Sequence, residues 1–240
     1  FGIDFKAVFD GSRLVLGREL EEKEKKGSSF VRCSVETCLR YLKYKGISVT
    51  GASIETYSDP AFGIGDTKTG LGGSAAVTVA SVSALFELHG LKIDENKDLI
   101  HKLSQYIHFR VQGKVGSGFD IAAACFGGNS YSRYSPDLIK NITEDAPIEE
   151  VASAIEKKWD YTAEELPLPD QFFVSVGNFI GDSASTSDMV KKINKWKEEN
   201  TDDYKNLMHD LNEANKDAIK WLKEINNFYE SEKIIENKLE

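Results

Sequence analysis

Proline and cysteine are both scarce: 5 prolines and 3 cysteines in 240 residues. With 40% hydrophobic and 29% charged residues and 19 glycines, the composition excludes collagen-like, mucin-like and wholly disordered chains. The cysteines are Cys33, Cys38 and Cys125. Their odd number and the single close pair supply neither a disulfide framework nor a four-ligand zinc site. A reduced, cytoplasmic protein is expected. Positive charge is in deficit, with 30 Lys and Arg against 39 Asp and Glu, a net charge of −9. Nucleic-acid backbones reward lysine and arginine, so a nucleic-acid partner is not expected. A local basic pocket can still take a small anion. No apolar run approaches the ~18 residues of a membrane span, so no membrane partner is expected either. The four histidines, His89, His101, His108 and His209, offer no i, i+4 ligand pair, and core or surface placement is the plain reading of each. A Gly-x-Ser-x-Gly elbow is missing, which argues against an α/β-hydrolase. The first residue is Phe1, without a basic-then-apolar leader, so the chain is expected to be a piece of a longer polypeptide.

The length suits one or two domains. Ile3 to Phe9 reads as a strand ending at Asp10-Gly11, and the charge-rich Glu19 to Lys26 as a solvated loop. Phe30 to Leu42 has helical apolar spacing, with Gly46 as its stop, and Ile47 to Tyr57 is rich in β-formers. Helices are expected from Ser74 to Phe86, Lys97 to Arg110, and Ile121 to Cys125, then a short strand from Ser130 to Tyr134. The polar, proline-bearing stretch 142–169 holds a short helix around Ile148 to Trp159 and the domain boundary, giving domains 1–150 and 151–240. Phe172 to Val176 reads as a buried strand and Gly177 to Ser187 as a polar loop. Helices follow over Asp188 to Lys197 and Asp203 to Phe228, with a fraying end from Glu230. This alternation of strands and helices suggests an α+β fold with helices on one side of mixed sheets.

Three segments can carry chemistry. Lys68-Thr69-Gly70-Leu71-Gly72-Gly73-Ser74-Ala75-Ala76 opens a helix. A helix start has unpaired N–H groups and a partial positive charge, and glycines let a phosphate approach them. Ser74 adds a hydroxyl for a phosphate oxygen or Mg²⁺. No Gly-Lys-Ser/Thr closes the pattern, so it is not a Walker P-loop. The plain alternative is a glycine-rich turn with Ser74 as helix cap. The second segment, Gly113 to Asp120, presents one cation (Lys114), a hydroxyl (Ser117) and one carboxylate (Asp120). It lacks the preceding strand and the Gly-x-Gly-x-x-Gly spacing of a dinucleotide fingerprint. Here the plain alternative has Asp120 capping the helix after it. The third, Gly181-Asp182-Ser183-Ala184-Ser185-Thr186-Ser187, is another helix start rich in hydroxyls, with Ser187 as a simple cap the alternative.

Together these segments resemble the GHMP kinase superfamily, whose phosphate loop reads roughly Gly-Leu-Gly-Ser-Ser-Ala, and within it the eukaryotic-type phosphomevalonate kinases. The resemblance is carried by Lys68 to Ala76, by His108 with Gln112 to Ala124, and by Gly181 to Thr186 with Met189 to Lys192 and Trp196. It implies a two-domain α+β GHMP-kinase-like fold: an N-terminal domain of the ribosomal protein S5 domain 2-like type, and a partial C-terminal domain. It implies ATP and Mg²⁺ as cofactors, and transfer of the γ-phosphoryl group to 5-phosphomevalonate. Lys68, Gly70, Leu71, Gly72, Gly73, Ser74 and Ala75 would then hold the nucleotide, with Ser74 also a metal contact. Asp120 and Lys114 would be catalytic, and Ser117, Gly118, Ser183, Ser185 and Thr186 would line the acceptor's site.

Three features depart from the family pattern. Gly73 stands where the family has the first of two serines. The family's N-terminal Pro-Gly-Lys-type segment and its C-terminal glycine-rich segment are not found in the chain. Other readings stay open. Another small-molecule kinase of the superfamily, such as a mevalonate kinase, is one. A non-catalytic nucleotide-binding module is a second, and an acidic helical interaction protein built on 188–228 is a third.

Overall fold

A computed structural model describes residues 3–58, 63–64, 67–68, 71–113, 116–143, 145–168, 172 and 186–236. The chain divides into two compact units, one of residues 1–58 and 72–164, the other of 59–71 and 165–240.

The first unit begins with a small antiparallel ribbon, β1 (Ala7–Phe9) against β2 (Leu14–Leu16), in which Val8 faces Val15 across the pair. Asp10 closes its turn by accepting the Ser12 and Arg13 N–H groups at 2.8 and 2.9 Å. The stretch expected as a solvated loop is instead the helix α1 (Glu22–Gly27). A reciprocal cap between Glu21 and Glu24 starts it, and Arg18 grips the Glu24 carboxylate at 2.7 Å. That ion pair, with the Glu21 N–H bond, pulls the Glu24 carboxyl down to about 2.

Four helices then build the core: α2 (Ser29–Tyr44), α3 (Gly73–Leu88), α4 (Ile93–Gln112) and α5 (Phe119–Phe126). Their spacings follow the apolar periodicity of the sequence, and α4 is the central member. Every residue from Ile100 to His108 is buried, which a helix achieves only when neighbours cover it all round. Leu42, Val82, Phe86, Leu103, Tyr106, Ile107 and Ile121 have no exposed surface. Each large apolar side chain so buried contributes about 1.5–3 kcal/mol. The tight sequestration of α4 has a consequence for its polar residues. His101, Lys102, Ser104, Gln105 and His108 must find partners inside the protein or carry an unpaired-group penalty.

The segment 47–58 forms no strand, contrary to its β-rich composition. Instead Ile47 and Val49 pack on the helical core, and the Thr50 N–H donates to His89 Nε2 at 3.2 Å. The helix α6 (Ile148–Ile155) belongs to this first unit, although the boundary was expected at 150. Its Val151, Ala152 and Ile155 are buried in the common core, and Arg40 of α2 holds the Ala146 carbonyl at 2.8 Å just before it. Strand β5 (Asn129–Ser132) neighbours β6 (Thr162–Glu165) in a second two-stranded sheet. The expected mixed sheets are thus short ribbons among the described residues, and helices dominate an α+β fold.

In the second unit, β3 (Gly63–Ile64) and β4 (Thr67–Lys68) form a two-stranded antiparallel ribbon. Two helices, α7 (Thr186–Glu199) and α8 (Thr201–Glu236), follow the expected pattern. Thr186 opens α7, so Ser187 lies inside the first turn and not at its cap. The helix α8 runs on through the segment expected to fray, as far as Glu236. The strand expected over 172–176 falls outside the described residues except for Phe172, which is in neither strand nor helix.

Candidate functional site

Two helix N-termini meet the end of α4. At the start of α3 the cap is Gly72, in the left-handed conformation with φ 74°. The first intrahelical bond runs from the Ala76 N–H to the Gly72 carbonyl at 3.0 Å, so the N–H groups of Gly73, Ser74 and Ala75 precede it. At the start of α5 the cap is Gly118, with φ 80°, and the first bond is Ala122 N–H to the Gly118 carbonyl, again 3.0 Å. Neither glycine cap brings a side chain to those N–H groups, and at the α5 start one of them, the Ile121 N–H, is taken by Asp120. Both plain alternatives are therefore corrected: Ser74 and Asp120 are the second residues of their helices, not the caps.

The two starts lie close together. A Cβ on Gly72 would come 3.9 Å from the Asp120 Cβ. Their functional side chains converge on one imidazole of α4. Ser74 Oγ is 3.2 Å from His108 Nε2, and Asp120 Oδ2 is 4.0 Å from the same atom. The Asp120 Oδ1 atom accepts the Ile121 N–H at 2.9 Å, which fixes the carboxylate over its own helix start. One turn further along α4, Gln112 Nε2 also reaches His108 Nε2, at 3.2 Å. Phe30 of α2 leans on the imidazole, with ring centroids 5.1 Å apart. The His108 side chain is only 9% exposed, against 28% for Asp120. Burial pushes the His108 pKa down, with the Asp120 charge opposing it, so the ring is neutral near pH 7. The contact with Asp120 is accordingly not an ion pair at that pH.

A buried amide places the second helix start. Gln105 Nε2 donates to the Gly118 carbonyl at 2.8 Å, and its Oε1 accepts from the Tyr134 hydroxyl at 3.4 Å. A Cβ on Gly118 would strike Gln105 Nε2 at 2.6 Å, so both φ and space demand glycine there. Gly73 is different: a Cβ there meets nothing within 4 Å.

The residues marked in the sequence are thus partly united. Gly72, Gly73, Ser74 and Ala75 form the α3 start, and Gly118 and Asp120 the α5 start. Leu71 and Ser117 are exposed beside them. Lys114, Gly70, Ser183 and Ser185 lie outside the described residues, as do the side chains of Lys68 and Thr186. Sequence reasoning gave no role to His108, Gln112, Gln105 or Phe30. The signals were that His108 and Gln112 fall in the segments that carry the family resemblance and that polar residues sit among the apolar ones of α4.

Residues 29–128, which span all four core helices, match the family described as GHMP kinases N terminal domain. The chain carries a GHMP kinase N-terminal domain. Three curated relatives are similar to it. A phosphomevalonate kinase of Candida albicans is 34% identical over 172 residues, covering 69% of this chain and 40% of that protein. One of Saccharolobus solfataricus is 36% identical over 174 residues, covering 72% and 46%. A protein of Arabidopsis thaliana named "Phosphomevalonate kinase, peroxisomal" is 35% identical over 163 residues, covering 62% and 32%. The chain therefore spans less than half the length of each of these relatives. No solved structure matches it. In this GHMP kinase domain two glycine-capped helix starts, one hydroxyl and one carboxylate face each other. That set can receive a polyanion together with an oxygen-seeking cation. Among the described residues no helix is long and apolar enough to cross a membrane.

Proposed function

We propose that this chain is the nucleotide- and acceptor-binding part of a phosphomevalonate kinase, acting in the mevalonate route to isoprenoids and sterols. The observation that carries this reading is the meeting of Ser74 and Asp120, from two glycine-capped helix starts, at one buried imidazole. Similarity to proteins named phosphomevalonate kinase supports the choice of acceptor. An oxygen of the 5-phosphomevalonate phosphate attacks the γ-phosphorus of ATP. The bond from that phosphorus to the bridging oxygen breaks, and ADP leaves with diphosphomevalonate as the second product.

Both substrates are polyanions, so positioning and charge neutralisation dominate catalysis. The N–H groups of Gly73, Ser74 and Ala75 donate to nucleotide phosphate oxygens. Lys68 and Lys114 are the cations of the motifs, Lys114 the candidate for the acceptor's phosphate, and Ser117, Gly118, Ser183, Ser185 and Thr186 line the acceptor. A hydroxyl and a carboxylate are hard oxygen donors that suit Mg²⁺, and Ser74 and Asp120 would hold it. When bound it supplies positive charge to the phosphate oxygens. A phosphate monoester has its second pKa near ~6, so the acceptor is already mostly the nucleophile at pH 7. Asp120 therefore orients its neighbours and is not needed as a base.

An assay of ADP release by the full chain, with 5-phosphomevalonate or mevalonate as acceptor, tests the reading. Release is expected with phosphomevalonate only. Release with mevalonate would assign a different superfamily kinase, and tight MgATP binding without release a non-catalytic module. Within active protein, Lys114→Met is expected to cost roughly 10²–10³-fold in kcat and Asp120→Asn about tenfold. A far larger loss for Asp120→Asn would refute its orienting role. We infer a cytoplasmic location from cysteines that form no disulfide among the described residues. Fluorescence microscopy of the tagged protein tests this against the peroxisome named for the Arabidopsis relative.

A further inference from the structure

In a trans peptide the C=O and the following N–H point in opposite directions, so a partner that fixes the carbonyl also aims the backbone beyond it. The Gly118 carbonyl is fixed twice. It accepts the Ala122 N–H at 3.0 Å from within α5, and Gln105 Nε2 at 2.8 Å from α4. A carbonyl oxygen can only accept, so the end of the Gln105 amide that meets it is the nitrogen. The other end, Oε1, accepts the Tyr134 hydroxyl at 3.4 Å, which holds the amide that way round. Gln105 and Tyr134 are 3% and 2% exposed, and the Tyr134 ring packs on Trp159 with centroids 4.5 Å apart. Two side chains so buried meet no ligand themselves and act through Gly118. What they hold is the seat of a charged group. Asp120 Oδ1 accepts the Ile121 N–H at 2.9 Å, so the carboxylate moves with its helix start. The matching bond at the α3 start, Ala76 N–H to the Gly72 carbonyl, is also 3.0 Å, but Gln105 takes no part in it.

We propose that Gln105, oriented by Tyr134, is a positioning residue for the acceptor half of the site: by holding the Gly118 carbonyl it sets where Gly118 and Asp120 stand, and it leaves the nucleotide half at α3 untouched. The proposal rests on the kinase reading above and deepens it, because it gives the two substrates separate supports in one domain. Loss of the Gln105 donor frees the α5 start to shift, and Ser117, Gly118 and Asp120 shift with it. The N–H groups of Gly73, Ser74 and Ala75 stay where α3 puts them.

Kinetics, calorimetry and hydrogen exchange on the full chain decide it. Gln105→Met keeps the length and bulk of the side chain but donates nothing. It is expected to lower kcat/KM for 5-phosphomevalonate roughly 10–100-fold, as a displacement of about 1 Å at a reacting site does. ATP affinity, measured by calorimetry with a chelator present, should stay unchanged. Tyr134→Phe keeps the ring against Trp159 and removes only the hydroxyl, so the same selective loss should appear at roughly 2–5-fold. The double variant should be no worse than Gln105→Met alone, since Tyr134 acts through Gln105. Without substrates, the Ala122 N–H of Gln105→Met should exchange about 5–10-fold faster while the Ala76 N–H keeps its rate. Should Gln105→Met not fold, Tyr134→Phe decides by the same readouts: a loss confined to the acceptor supports the proposal, and no such loss overturns it. Equal losses for both substrates, additive losses in the double variant, or an unchanged Ala122 rate also overturn it, and the kinase reading then survives. A wild type that transfers phosphate to neither acceptor overturns that reading and the proposal together.

Discussion

His101 and His108 lie seven residues apart on α4, both buried and both held below the ordinary histidine pKa by burial. Their neighbours differ entirely. His101 is walled by aromatic rings, with Phe126, Tyr131, Trp159 and Tyr161 centred 4.4–6.5 Å away. Among the described residues its Nδ1 has no hydrogen-bond partner, and its Nε2 meets Gln105 at 3.1 Å. His108 instead has a hydroxyl, an amide and a carboxylate within 4.0 Å of its Nε2. The same residue type on the same helix is core filling at one end and chemistry at the other. Burial and pKa do not separate the two, since both are lowered for the same reason. What separates them is whether the ring is surrounded by carbon or by groups that can exchange hydrogen bonds with a ligand.

The two ends are joined by Gln105, which touches His101 on one side and carries the Gly118 carbonyl on the other. Breaking that joint should give the largest effect on stability. In Gly118→Ala the new methyl would sit 2.6 Å from Gln105 Nε2 at a backbone φ of +80°. Left-handed strain and overpacking together should cost about 2–5 kcal/mol. Urea denaturation would read the loss, and histidine spectra should show both His101 and His108 displaced. If only one of the two resonances moves, the ends of α4 are independent and Gln105 is not the joint between them.

Much of this was legible beforehand, and what was missed has physical causes. The core helices follow apolar spacing, which is local information, and the Gly72–Ser74 and Gly118–Asp120 helix starts are marked by glycines whose φ is positive. The role of His108 was not legible, because its contact with Ser74 spans 34 positions in sequence. The helix α1 was hidden because Glu21, an unusual cap residue, works only through its reciprocal bond with Glu24 and the Arg18 pair. Residues 47–58 misled in the opposite sense. β-formers make a strand only beside a partner strand, and here the neighbour is a helical core.

A pH titration of stability sharpens the comparison from the His101 side. Burial lowers its pKa from 6.5 to about 4, with Asp98 opposing and Lys102 adding to the shift. The neutral ring is favoured in the folded state, so the unfolded chain binds more protons below pH 6.5. The stabilisation is fully present above the unfolded value of 6.5 and is lost as pH falls towards 4, by about 3 kcal/mol at the lower end. In His101→Gln, which cannot titrate, the slope between pH 6.5 and 4 should fall by about one proton's worth, whatever the variant's absolute stability. An unchanged slope would mean that the aromatic wall does not keep this ring dry.

The smallest effect is expected at the other helix start beside His108, and it tests how unequal the two starts are. Gly118 is crowded and left-handed, whereas Gly73 has open space where a side chain would be and no positive φ. The GHMP pattern carries a serine at that position, so its absence invites the idea that glycine is required here. The geometry argues otherwise. Gly73 is the first residue of α3, and serine is a better helix former than glycine by roughly 0.5 kcal/mol. Gly73→Ser should therefore raise the urea midpoint slightly with an unchanged m-value, leave both histidine resonances in place, and alter MgATP affinity by no more than a few-fold, since one added hydroxyl is worth about 1 kcal/mol. A loss of stability on that substitution would show that the α3 start, like the α5 start, depends on a glycine, and the contrast between the two would fail.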